Sequence, residues 1–83
     1  MGLVNIDIDL LRTLIVVADT GNFTKAGDRL LRSQSAISLQ IKRLEDFVGE
    51  QLVDRHKDMR LTTAGEMVRS YAYDILKLND QLV

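Results

Sequence analysis

The segment Ser33–Gly49, S-Q-S-A-I-S-L-Q-I-K-R-L-E-D-F-V-G, constrains this chain more than any other. Ser33 is expected to cap a helix, because its hydroxyl can accept from an unpaired amide of the first turn. Gly49 is expected just past the C-terminus, where a positive φ is needed. Between them Ile37, Ile41, Leu44 and Val48 recur at i, i+4, i+7 and i+11, one apolar stripe of a 3.6-residue period. The other face carries Gln34, Ser35, Ser38 and Lys42, with no carboxylate before Glu45. Taken alone, that face fits an ordinary solvated helix or one made for close approach to a nucleic-acid groove. Glutamine pairs bidentately with adenine, and serine with base edges or phosphate. The helix N-terminus adds free N–H groups and partial positive charge that favour a phosphate.

What precedes this helix narrows the choice. Asn22 is a second candidate N-cap, followed by a short helix over Phe23–Leu31. Phe23, Ala26 and Leu30 form its inward side, while Thr24, Lys25, Asp28 and Arg29 point outward. Only Arg32 and the cap Ser33 separate the two helices, a spacing that predicts a helix-turn-helix. Further upstream, Met1–Ile6 shows no period. Asp7 or Asp9 can cap a helix running from about Leu10 to Thr20, with Leu11, Leu14, Ile15 and Ala18 as its core stripe and Val17 beside it. Gly21 stands where that helix should end.

After Gly49 the period changes. Gln51–Arg55 and Met59–Thr62 flank His56-Lys57-Asp58 as two short runs compatible with a β-hairpin, anchored by Leu52 and Leu61. Such a hairpin is a wing, with Arg55, Lys57 and Arg60 as candidate phosphate or minor-groove contacts; the alternative is a surface loop with solvated cations. Thr63-x-x-Glu66 fits a capping box, although Thr62 can serve as the cap instead. Ala64, Val68, Tyr71, Ile75, Leu78 and Leu82 then alternate steps of four and three, the seam of a helix lying along a partner helix. A second stripe, Met67, Ala72, Leu76 and Val83, lies beside it. Two apolar faces need two covering surfaces. One is the first helix, and for the other we expect a homodimer through Val68, Tyr71, Ile75, Leu78 and Leu82; a single wide stripe in a monomer is the alternative.

With 83 residues the chain can build one small core, and an apolar content of 46% supports folding. The net charge of −1 speaks against a nucleic-acid partner until its distribution is considered. Lys25, Arg29, Arg32, Lys42 and Arg43 face the single acid Asp28, so this central stretch is basic while the flanks are acidic. There is no cysteine for a disulfide or thiolate metal site, and His56 has no partners at ligand spacing, so no metal or cofactor is expected. No apolar run approaches a membrane span and no leader pattern opens the chain, which places it by default in the cytosol. Glu45-Asp46 is the only adjacent acid pair, and neighbouring side chains on a helix diverge, so no catalytic constellation emerges.

The chain resembles the DNA-binding region of the LysR-type transcriptional regulators of bacteria. The resemblance rests on Leu11–Val17, on Phe23-Thr24-x-Ala26, and above all on Ser33-Gln34-Ser35-Ala36-Ile37-Ser38-x-Gln40-Ile41-x-x-Leu44-Glu45. It continues through Gly49-x-x-Leu52-x-x-Arg55 and Leu61-Thr62-x-Ala64-Gly65. It implies a mainly α fold: a winged helix-turn-helix with a three-helix core and a short β-hairpin wing over 1–62, then a long linker and dimerisation helix over 63–83. Within the first part the helix-turn-helix spans about 23–48 and the wing about 51–62. The resemblance also implies a larger effector-sensing domain beyond the linker, so the chain reads as the DNA-binding piece of a longer regulator. A small-molecule effector would act only through that missing domain. Carried over residue by residue, Gln34, Ser35 and Ser38 reach bases or nearby phosphates, Thr24, Arg32 and Lys42 contact the backbone, and Arg55 belongs to the wing. Apart from that carry-over, Ser33 at the helix start and Lys57 in the hairpin are further candidate DNA contacts.

Four positions depart from the family pattern. Gly27 replaces a usual alanine, which lowers helix propensity and thins a contact. Val53 replaces a usual phenylalanine, so a looser wing root is expected. Leu39 stands where arginine is frequent, removing a guanine or phosphate contact and offering one to a thymine methyl instead. The wing is about one residue shorter than the commonest form and carries Asp58. The expectation is sequence-specific binding of a partly symmetric DNA duplex by a homodimer in the bacterial nucleoid. The competing reading is a helical interaction module that uses the heptad helix and leaves the helix-turn-helix as bare scaffold.

Overall fold

Cap residues set the boundaries of the helices. The computed structural model describes residues 3, 5–56 and 59–83, in the order α1 Ile8–Thr20, α2 Phe23–Leu30, α3 Gln34–Val48, β1 Val53–Asp54, β2 Arg60–Leu61 and α4 Thr63–Leu82. The Asp7 carboxylate accepts from Asp9 N–H at 2.9 Å, the Asn22 amide oxygen from Lys25 N–H at 2.7 Å, and the Ser33 hydroxyl from Ala36 N–H at 3.1 Å. Each such cap stabilises its helix by about 1 kcal/mol. Gly21 and Gly49 close α1 and α3 with φ of 76° and 81°. For α4 the cap is Thr62, not Thr63: its hydroxyl accepts from Gly65 N–H at 3.0 Å and donates to the Gln51 carbonyl. The second helix ends one residue before the expected place, because Leu31 adopts φ 57° and turns the chain toward α3.

The core forms around α1, which packs against α2, α3 and α4 at once. Contact on three sides explains a difference from the sequence expectation. Leu10, Leu11, Thr13, Leu14, Val16 and Val17 are buried, whereas Ile15 and Ala18 are half-buried at the edge. Phe23 and Ala26 of α2, Ile37, Ile41 and Leu44 of α3, and Ala72 of α4 close on that surface. Leu52 and Val53 are fully shielded beneath the hairpin, so valine at the wing root leaves no opening to solvent.

The hairpin is shorter than the runs that suggested it. Val53 pairs with Leu61 and Asp54 with Arg60, antiparallel. Its root is pressed onto α4 at Gly65, where a Cβ would collide with the Leu52 carbonyl oxygen. A similar close approach occurs at Gly27. There the Arg32 N–H donates to the Gly27 carbonyl at 2.8 Å, and a Cβ would strike the Arg32 carbonyl oxygen. The contact expected to be thin at this glycine is therefore tight, because the missing methyl lets the turn lie directly on α2.

Candidate nucleic-acid interface

The stripe Ile37, Ile41 and Leu44 turns one face of α3 fully inward, so the residues out of phase with it are left outside. Ser33, Gln34, Ser35 and Lys42 are exposed, Ser38 is half-buried, and Thr24 is exposed on α2. The hydroxyls of Ser33 and Ser35 stand 3.2 Å apart at the helix start. No acid occupies the first turn of α3, so nothing offsets the partial positive charge of its N-terminus. Leu39 lies among these polar residues with 53% of its surface exposed, a large apolar side chain set on a hydrogen-bonding face.

Arg32 behaves differently from its expected part as a free backbone contact. Its guanidinium donates to the Asp9 carboxylate at 2.9 Å, to the Gln40 amide oxygen at 3.1 Å and to the Thr13 hydroxyl at 3.3 Å. Thr13 is completely buried, and its hydroxyl also lies 3.0 Å from the Asp9 carbonyl and 3.2 Å from the Gln40 amide oxygen. The resemblance implies a contact to the DNA backbone here; in the structure the long stem turns back toward α1. A signal for this was present, since Thr13 falls in phase with Leu10, Leu14 and Val17 on the buried side of α1.

At the wing, Arg55 lies half-buried with its guanidinium 5.5 Å from the centre of the Phe23 ring, over its face, and 3.4 Å from a Glu45 carboxylate oxygen. Glu45, which sequence reasoning left without a role, accepts from the backbone N–H of Leu52 at 2.8 Å and of Val53 at 3.3 Å. Its side chain is 11% exposed. One carboxylate thus ties the hairpin root to α3 and orients the arginine. An acid four residues after Ile41 and beside Leu44, on the flank of a core stripe, was the available clue. Arg60 is exposed, and Lys57 lies outside the described residues.

On α4 the two predicted faces separate. Ala72 and Leu76 are buried, while Ala64 and Val68 are partly buried against the core. Val68, expected in the seam, therefore belongs to the inner contact, because the start of α4 is held down at Gly65. Tyr71, Ile75, Leu78 and Leu82 are exposed, with Tyr71 and Leu78 at 66% and 67%. The far end of α4 is tied to α1 by a two-pronged pair, Arg12 to Asp80 at 3.0 and 3.4 Å. The Arg12 hydrogen bonds, helped by one from Asn79, hold the Asp80 carboxyl below the usual aspartate range. The same bond from the other side raises Arg12. Among the described residues no group of His, Cys, Asp or Glu is arranged to hold a metal ion, and no helix is long and apolar enough to cross a membrane.

Comparison with known proteins agrees with this geometry. The family model for bacterial regulatory helix-turn-helix proteins of the lysR family matches residues 8–66. The HTH-type transcriptional regulator PecT of Dickeya dadantii (strain 3937) is 44% identical over 78 residues, which cover 93% of this chain and 25% of PecT. The chain thus spans about a quarter of the length of the curated relatives it matches. Among solved structures, the DNA-binding domain of BenM in complex with benA site 1 DNA superposes with a TM-score of 0.87 at 33% identity, over 93% of this chain and 88% of that one. Vibrio fischeri DarR in complex with DNA superposes with a TM-score of 0.90 at 33% identity, over 94% of this chain and 27% of that one.

Proposed function

This chain belongs to the lysR family of bacterial regulatory helix-turn-helix proteins, and from that premise we infer that it binds double-stranded DNA sequence-specifically as the DNA-binding domain of a dimeric transcriptional regulator. One observation carries the reading: α3 buries Ile37, Ile41 and Leu44 yet leaves Gln34, Ser35 and Lys42 exposed beside an N-terminus free of acids. A helix so placed offers donors, acceptors and a cation to a groove without desolvating a carboxylate. The BenM and DarR structures, each holding DNA, support it.

On this reading α3 enters the major groove. Gln34, Ser35 and Ser38 reach base edges or adjacent phosphates, and Leu39 packs on an apolar base edge. Ser33, Thr24 and Lys42 grip the backbone, as Arg55 and Lys57 do from the wing. Residues 1–62 form the reading unit, and 63–83 form the linker through which two copies pair along Tyr71, Ile75, Leu78 and Leu82. The paired copies present two α3 helices to half-sites related by the protein's two-fold axis. A partly symmetric operator follows. The regulator works on DNA in the bacterial cytoplasm without catalysis of its own, and its effector binds a further domain of the longer protein.

Selection of bound sequences from a random duplex pool tests this. The expected result is one enriched motif with inverted half-sites, bound with an affinity that falls steeply as salt rises. A pool that remains random after selection at low salt contradicts it.

A further inference from the structure

The reading of DNA depends on where α3 is held, and one residue outside the exposed face bonds to α3 and to α1 and α2, which pack against it. We propose that Arg32 is a positioning residue for sequence readout, fixing α3 against α1 and α2, rather than a contact to the DNA backbone. The proposal rests on the DNA-binding reading above and concerns how its accuracy arises.

Arg32 sits in the connection between α2 and α3. Its main chain is locked to α2 through the 2.8 Å bond to the Gly27 carbonyl, at a spot where no Cβ fits. Its side chain is locked to α1 through Asp9 and Thr13, and to α3 through Gln40. Three helices therefore meet at a single side chain and its backbone.

The direction of the grip matters. Ser38 and Lys42 each lie two residues from Gln40, which places them about 160° away around α3. The arginine thus holds α3 from the side facing α1 while the polar face points elsewhere. A guanidinium carries donors only, so Gln40 must turn its amide oxygen inward; the reverse orientation would set its NH2 against the cation. The buried Thr13 hydroxyl accepts from Arg32 and donates to the Asp9 carbonyl or to Gln40, so it closes the network without stranding a polar atom. Asp9 neutralises the charge. These bonds use three of the five guanidinium N–H groups, so a phosphate could meet only the remaining two while the network holds.

Groove readout by bidentate hydrogen bonds requires side chains held to within about 0.5 Å and 10–20°. Loss of the network lets α3 rock and should blur the difference between correct and incorrect sequences. Loss of a phosphate contact weakens every sequence alike and lowers the salt dependence.

The test compares wild-type protein with Arg32→Met and Asp9→Asn, titrated into the selected duplex and a scrambled one over a salt series, with thermal unfolding followed on each. Both variants are expected to reduce the ratio of specific to non-specific affinity at least about fivefold, the low end of the cost of one mismatched base pair. The slope of log K against log salt should stay at the wild-type value. A slope smaller by about 0.9 for Arg32→Met, with the ratio intact, would mark a phosphate contact and overturn the proposal. So would an unchanged ratio in Asp9→Asn, a surface change that tests the network even if Arg32→Met does not fold. Wild-type protein that prefers no duplex would instead overturn the DNA-binding reading itself, and this proposal with it.

Discussion

Replacing Glu45 with alanine removes the acceptor that fastens the wing to α3. The N–H groups of Leu52 and Val53, bonded to it at 2.8 and 3.3 Å, belong to residues with no exposed surface while the carboxylate is in place, so its removal takes away their side-chain acceptor. A hydrogen bond to a charged group contributes about 1.5–3 kcal/mol, and the longer of these two less. The Arg55 contact at 3.4 Å is half-exposed and adds at most about 1 kcal/mol. Glu45→Ala should therefore destabilise the domain by about 3 kcal/mol, out of roughly 4–12 kcal/mol expected for a chain of this size. That loss corresponds to a fall in Tm of about 12–24 °C. Glu45→Gln keeps an oxygen where both amides bond, loses the Arg55 contact on the other one, and should cost only about 1 kcal/mol. Urea unfolding followed by circular dichroism measures both. An alanine variant within about 0.5 kcal/mol of wild type, the range of an ordinary surface substitution, refutes the reasoning.

Two further outcomes are expected at other positions. Arg12 lowers the Asp80 pKa in the folded protein, so the pair adds stability above the ordinary aspartate range and loses it as pH falls through the lowered value. Asp80→Asn should flatten the acid limb of the wild-type curve of Tm against pH while leaving its alkaline side alone; superimposable curves would show that the pair carries no linkage. On the proposed reading the exposed Leu39 side chain meets a thymine methyl, and replacing that thymine by deoxyuridine deletes only the methyl group. Wild-type binding should weaken by about 0.8 kcal/mol on that change, whereas Leu39→Ala should bind both duplexes equally, as fluorescence anisotropy would report.

Local chemistry made much of the fold legible. Asn22, Ser33, Thr62, Gly21 and Gly49 mark helix ends through bonds to residues three or four positions away, so sequence proximity suffices to place them. On α4 the exposed positions Tyr71, Ile75, Leu78 and Leu82 keep the spacing visible in the sequence. Sequence reading failed where a contact joins distant segments. Val16 and Leu10 are buried because α1 is surrounded, a property of three other helices rather than of its own period. The resemblance makes Arg32 a backbone contact, and nothing near it in the sequence reveals that Asp9 and Gln40 converge on it. Glu45 had no visible partner because its partners are backbone amides, which every sequence contains. Gly27 was a loss of propensity in one dimension and a tight crossing in three. The exposed face of α3 was readable for the opposite reason: it is what remains when a regular stripe is buried.

The most direct test of that face is the affinity of Gln34→Ala for the selected duplex and for a scrambled one, measured side by side in the same buffer. Losing one base contact should cost about 1–3 kcal/mol on the selected site and leave scrambled binding nearly unchanged. Equal weakening on both duplexes, or none on either, would mean that this side of α3 does not read sequence.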